Sequence, residues 1–189
     1  MGSGVMEAVI YGSRDALLDS LHRGADPNES EDGQSALMMA CLEDRPDLAS
    51  DLIAHGANVN VADRDGTTAL HTAANIGSNE LARILLKAGA NPNAANGDGQ
   101  TPLMLAARIG DEDVTAILLK VGANVLARDA FGRTALHWAA TQGDFVRVVD
   151  LLLRAGANPT DRTQDGQAAL DYAVSLNRRL IVAVLNVAK

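Results

Sequence analysis

Residues 65–97 read DGTTALHTAANIGSNELARILLKAGANPNAANG. Thr68 is placed to cap a helix whose apolar positions Leu70, Ala73 and Ala74 follow i, i+3, i+4 spacing until Gly77 stops it. A second helix is expected from about Asn79. It carries Leu81, Ala82, Leu85 and Leu86 on one face and Glu80, Arg83 and Lys87 on the other, until Gly89 ends it. From Gly89 to Thr101 the chain is rich in turn formers and closes on Asp98-Gly99, which predicts a tight turn with positive φ, projecting as a finger. The unit is a helical hairpin followed by a loop.

The same unit recurs along the chain. A turn step ends at Gly33, Gly66, Gly99, Gly132 and Gly166, and a second glycine series runs through Gly24, Gly56, Gly89, Gly122 and Gly156. Successive turn glycines are 33, 33, 33 and 34 residues apart. A third marker stands at Gly77, Gly110 and Gly143, replaced by Asp44 and Asn177, residues that tolerate left-handed backbone. Thr101-Pro102-Leu103 specifies a helix start twice, with a capping hydroxyl ahead of a proline at the first helical position. Two departures stand out: one extra residue in Asp144–Val149, and a loop after Gly24 that is one residue short.

Thr68-Ala69-Leu70-His71-Thr72-Ala73-Ala74 and Thr134-Ala135-Leu136-His137-Trp138-Ala139-Ala140 resemble the Thr-Pro-Leu-His-x-Ala-Ala signature of ankyrin repeats. The Leu-Leu-x-x-Gly-Ala-Asn partner motif recurs at Leu85, Leu118 and Leu152. The resemblance covers the chain from about Val5 and implies an all-α fold with short β-hairpin loops, an ankyrin-repeat solenoid. The expected division is a partial repeat at 5–30, repeats at 31–63, 64–96, 97–129 and 130–163, and a partial repeat at 164–189. Met1-Gly2-Ser3-Gly4 reads as an added leader. A lone unit cannot bury its apolar face, so the units are expected to stack into a continuous core.

Composition narrows the function classes. A formal charge of −8 with scattered arginines argues against nucleic acid. No run approaches the roughly 20 apolar residues of a membrane span and no signal pattern opens the chain, so a soluble, cytoplasmic protein is expected. One cysteine, Cys41, permits neither an internal disulfide nor a cysteine-rich metal site.

Catalytic and metal readings fail residue by residue. The resemblance makes His71 and His137 structural, their rings bonding nearby loop backbone. His22 and His55 precede helix-ending glycines, where an imidazole can satisfy terminal carbonyls. Asp63-Arg64-Asp65-Gly66 lacks a first calcium ligand at Val61 and the closing glutamate at Thr72. Gly97-Asp98-Gly99 has no third glycine for a dinucleotide turn, and Gly33-Gln34-Ser35-Ala36-Leu37 has no nucleophile elbow. Asp111-Glu112-Asp113 opens a second helix, where negative charge suits the helix dipole. No catalytic residue, cofactor or metal is expected.

The expected function is protein binding through a concave groove of hairpin tips and inner helices, or, as the alternative, service as the regulatory or targeting module of a larger enzyme or signalling protein. In the family, partners are held at fingertips and at the two positions before the end of each first helix. That implies the tip residues Arg64, Asp65, Asp98, Phe131 and Arg133 here, and the helix positions Leu42, Glu43, Asn75, Ile76, Arg108, Ile109, Thr141 and Gln142. Trp138 joins them, although its position in the family often packs inside the inner layer. Asn60 and Asn93 occupy the hairpin asparagine that an asparaginyl hydroxylase modifies in some relatives. The apolar run Leu180–Leu185 implies further repeats or self-association at the C-terminal end.

Overall fold

The computed structural model of the protein describes residues 4–188. Met1, Gly2 and Ser3 of the expected leader, and Lys189, lie outside the described residues. The chain divides between Asn91 and Pro92 into two compact units.

The first unit holds α1 (Val5–Tyr11), α2 (Arg14–His22), α3 (Ala36–Leu42), α4 (Pro46–Ala54), α5 (Ala69–Ile76) and α6 (Asn79–Lys87). Each odd helix packs on its even partner. The odd helices α1, α3 and α5 also stack in sequence as one layer, and α2, α4 and α6 as a second. The second unit repeats this plan with α7 (Pro102–Ile109), α8 (Glu112–Lys120), α9 (Ala135–Gln142), α10 (Val146–Arg154), α11 (Ala169–Ser175) and α12 (Arg179–Val187). Between the layers lie Leu37, Leu48, Leu52, Leu70, Leu81 and Leu85 in the first unit, and Leu103, Val114, Leu118, Leu136, Val148 and Leu152 in the second, all at most 1% exposed. Each such side chain contributes about 1.5–3 kcal/mol of burial. The odd helices carry the wholly buried alanines Ala40, Ala73, Ala106 and Ala139, whose small size admits close approach of a neighbouring helix.

Strand structure is confined to the loops. β1 (Ser30–Glu31) pairs antiparallel with β2 (Gln34–Ser35) around a turn with positive φ at Asp32 and Gly33. The short loop after Gly24 therefore still forms its hairpin. Elsewhere the fingers carry single bridges, Ala62 to Thr68 and Arg162 to Ala168.

Asparagine amides join successive loops. In the first unit Asn28 Oδ1 accepts from Asn58 N at 2.8 Å, and Asn60 Oδ1 accepts from Asn91 N at 2.8 Å while its Nδ2 donates to the Gly89 carbonyl. In the second, Asn93 makes the same pair of bonds to Asn124 N and the Gly122 carbonyl. The next position holds Leu126, and there Arg128 makes the link instead, donating to the Arg162 carbonyl at 2.8 Å and pairing with Asp161 at 3.0 Å.

Two sequence expectations need correcting. Gly77 and Gly110 end their helices in the left-handed region, but Gly143 is extended, with φ −164°. The extra residue that follows lets the chain leave α9 without the left-handed turn, and the Phe145 ring comes to lie against both Gly143 and Gly110. Thr101, expected to cap α7, makes no side-chain cap bond, and its buried hydroxyl has no partner among the described residues. Proline alone marks that start. In α5 and α9 the corresponding threonine hydroxyls meet the Nδ1 atoms of His71 (2.9 Å) and His137 (3.0 Å), whereas α7 has Met104 at this place.

Thr101→Val is therefore expected to hold or raise stability, by up to about 1 kcal/mol, since it removes an unsatisfied buried hydroxyl. Thr134→Val lowers it, and thermal denaturation of the two variants separates the cases. Gly99 and Gly166 share φ +75°, but a Cβ at Gly99 would stand 3.0 Å from Ala130 N and 3.1 Å from Asp129 Cα, while Gly166 faces open space. Gly99→Val should cost about 1–3 kcal/mol, and more than Gly166→Val in the same urea titration.

Candidate functional site

In each odd helix the residues before the terminus turn away from the stack. Leu42 and Ile76 in the first unit are 45% and 40% exposed, and Ile109 in the second 37%, on helices otherwise mostly buried. Glu43 and Asn75 beside them are exposed, as are the tip residues Arg64 and Asp65. The aliphatic stem of Arg64 lies against Gly33 of the preceding finger.

The second unit gathers its candidates more tightly. Asp129 stands where the earlier fingers have Asp63 and Asn96, whose side-chain oxygens accept two loop amides each. Asp129 does the same through Oδ1, from Phe131 N and Arg133 N at 2.9 Å each. Its Oδ2 then accepts from Arg133 Nε at 2.7 Å and from Trp138 Nε1 at 3.2 Å. The carboxylate is fully buried, so the Arg133 charge and three N–H donors offset a desolvation cost that would otherwise be prohibitive. The Arg133 guanidinium centre lies 4.0 Å from the Trp138 ring centroid and 4.7 Å from that of Phe131; Arg108 lies 5.7 Å from the same indole. Trp138 is 9% exposed and Phe131 55%, so the indole is the support and the phenyl ring is the displayed surface.

Fingers in this unit are tied at their tips. Ala130 N donates to the Asp98 carbonyl at 2.8 Å, and Gln164 N to the Phe131 carbonyl at 3.0 Å. Asp98 thus meets the next finger through its backbone, with its side chain exposed. Arg108, Ile109, Gln142 and Phe145 line a shallow cavity of about 420 Å³. Thr141 and Gln142 present their carbonyls to Arg178 Nη2 at 3.3 and 2.9 Å. Asp129, Phe145 and Arg178 were missed from sequence. Asp129 could have been found by aligning it with Asp63 and Asn96, but the other two depend on the inserted residue and on a bond to backbone atoms. A second cavity of about 330 Å³, also not foreseen, lies on the even helices α4 and α6, lined by Ser50, Ile53, Ala54, Ile84, Lys87 and Ala88.

A family model for ankyrin repeats, in three overlapping copies, matches residues 5–96, 77–163 and 103–187. The chain is an ankyrin-repeat protein. Comparison with curated proteins returns no match. Ankyrin repeats are generally protein–protein interaction modules and typically non-catalytic. The buried Cys41 thiol is pushed up to about 12, by burial first and then by Asp44, which removes the thiolate from neutral pH. No group of His, Cys, Asp and Glu among the described residues could hold a metal ion, and no helix among them is long and apolar enough to cross a membrane. Asn60 and Asn93 are exposed, with both ends of their amides engaged in the loop bonds above. His55 Nδ1 lies 2.8 Å from the Asp51 carbonyl, as expected of a residue at a helix end.

His137 is locked as the neutral ring. Nδ1 accepts from Thr134 N at 3.1 Å, so the proton sits on Nε2, which donates to the Asp161 and Gln167 carbonyls at 3.1 and 3.3 Å. Burial lowers its pKa from the ordinary 6.5; the Gln167 and Asp161 carbonyls oppose the shift without reversing it. A histidine depressed in the fold contributes stability that is complete above about pH 6.5 and is lost as pH falls through the folded value. Melting temperatures measured from pH 7.5 down to 5 should fall below about 6.5. His137→Met, the residue that α3 and α7 carry here as Met38 and Met104, should flatten that part of the curve while lowering stability at neutral pH.

Proposed function

We propose that the protein binds a partner protein through the exposed ends of its odd helices and the neighbouring fingertips, presented within each unit. What carries this reading is the exposure of Leu42, Ile76 and Ile109, three large apolar side chains at the C-terminal ends of odd helices whose other faces are buried, with Leu42 one position off the register of the two isoleucines. Their exposure is not required by the stack, since each unit closes its core without them. The rigidly held Phe131 supports the same reading, because an exposed aromatic on a finger pinned by four hydrogen bonds to Asp129 forgoes little entropy when a partner covers it. Glu43, Arg64, Asp65, Asn75, Asp98, Thr141 and Gln142 would form the polar surround.

The test uses the partner recovered by affinity capture with the full chain. Ile76→Arg and Ile109→Arg, made separately, should each weaken the complex by about thirtyfold, the equivalent of about 2 kcal/mol, with little change in helical spectrum or melting temperature. Arg83→Ala, on the outer face of α6, should leave affinity unchanged. Weakening by Lys87→Ala, with both Ile variants unaffected, would instead place the partner on the even helices. Unfolding by either Ile variant would assign that residue to the stack.

A further inference from the structure

Arg133 differs from the other cations among the described residues in how it is held. Its Nε is fixed on a buried carboxylate, its plane is supported by two rings, and its side chain is still 23% exposed. Among the described residues its two terminal nitrogens make no side-chain or backbone bond, so four N–H donors remain for a ligand on a side chain that is part-exposed. A guanidinium presented in this way matches a carboxylate in bidentate geometry, and its ordering entropy is already spent on the Asp129 and ring contacts. Arg108 brings a second positive charge onto the same indole, which places the two guanidinium centres within about 10 Å of each other. Beside the fork stands the exposed phenyl ring of Phe131, an apolar surface that carries no charge of its own.

We infer that the Phe131–Arg133–Trp138 cluster is a recognition site for a peptide segment carrying an aspartate or glutamate next to a large apolar side chain. The carboxylate docks on the Arg133 fork with Arg108 nearby, and the apolar neighbour packs on Phe131. The choice of occupant rests on charge complementarity: the chain is formally −8 overall, yet here the Asp129 carboxylate is fully buried while the Arg133 side chain is part-exposed and Arg108 lies on the same indole, two cations against the one exposed carboxylate of the preceding finger, Asp98. The inference names the partner chemistry for the protein-binding function proposed above and therefore depends on it.

The test is selection of phage-displayed random 12-residue peptides on the full chain, followed by titration of Trp-free synthetic versions. Trp138 is the single tryptophan, so its fluorescence reports occupancy directly. The enriched sequences should pair Asp or Glu with Leu, Ile or Phe, and their binding should change the Trp138 emission. Replacing the peptide's Asp by Asn, or Glu by Gln, should weaken binding about tenfold or more. Arg133→Lys should do the same, because a lysine keeps the charge and loses the fork. Should Arg133→Lys fail to fold, Phe131→Ala and the amide peptides keep the test intact, since neither touches the Asp129 side chain. Peptides whose affinity ignores both the amide replacement and Phe131→Ala would overturn this inference and leave peptide binding standing. Failure to enrich any peptide would overturn this inference, and the captured-partner measurements above decide the protein-binding reading separately. Binding of the oligonucleotide dT20 that Phe131→Ala abolishes would overturn it in favour of a nucleic-acid site.

Discussion

No helix pair in this protein can cover its own apolar face. Leu70 and Leu81 belong to one pair, and the alanines beside them are buried in a stack in which the α3–α4 pair packs against α5–α6. Coverage from the neighbour is therefore the condition for each pair to fold, and it explains the small residues at the odd-helix contacts, the short helices and the 33-residue period. It also divides the chain chemically. Side chains buried in the stack are mostly small or aliphatic at fixed places, and the residues at helix ends and finger tips are released from that restriction.

The Asp129 cluster shows what such freedom permits. The fingers at Asp63, Asn96 and Asp129 use the same bond from a side-chain oxygen to two loop amides, and in that respect the third is an ordinary repeat. Its second carboxylate oxygen recruits Arg133 and Trp138, and so converts a turn-stabilising residue into the anchor of a displayed surface. The same atoms that hold the finger closed orient the fork and the phenyl ring, so stability and presentation share one interaction.

Much of this was legible in the residues. The glycine registers, the Thr-x-Leu-His starts and the Leu-Leu steps located the helix pairs that carry them, because each signal reports a local requirement: a positive φ, a cap or a buried stripe; α1–α2 and α11–α12 have no Thr-x-Leu-His start and were expected only as partial repeats. Exposure of Ile76, Ile109 and Phe131 was legible by position. Thr101 and Gly143 were misjudged for one reason, namely that a local signal was read without its spatial partner. A threonine caps usefully here when a histidine stands three residues on, and Met104 offers no acceptor; Gly143 needs no left-handed turn once an extra residue follows. The role of Trp138 as support, the cavity that Phe145 helps to line and the Arg178 bonds to α9 carbonyls all depend on atoms distant in sequence, and no period reports them.

The substitution at Leu126 changes the character of one junction. Asn28, Asn60 and Asn93 link their loops through neutral amides, whose strength is nearly indifferent to dissolved salt. Between the last two loops the bond passes to Arg128 and Asp161, a partly exposed ion pair that counterions screen over about 8–10 Å at ordinary ionic strength. In a stack whose stability is a sum of neighbour terms, the weakest seam decides where opening begins. Rising salt leaves the amide rungs as they are and weakens the Arg128–Asp161 contact, so the balance among the seams of this unit shifts with ionic strength.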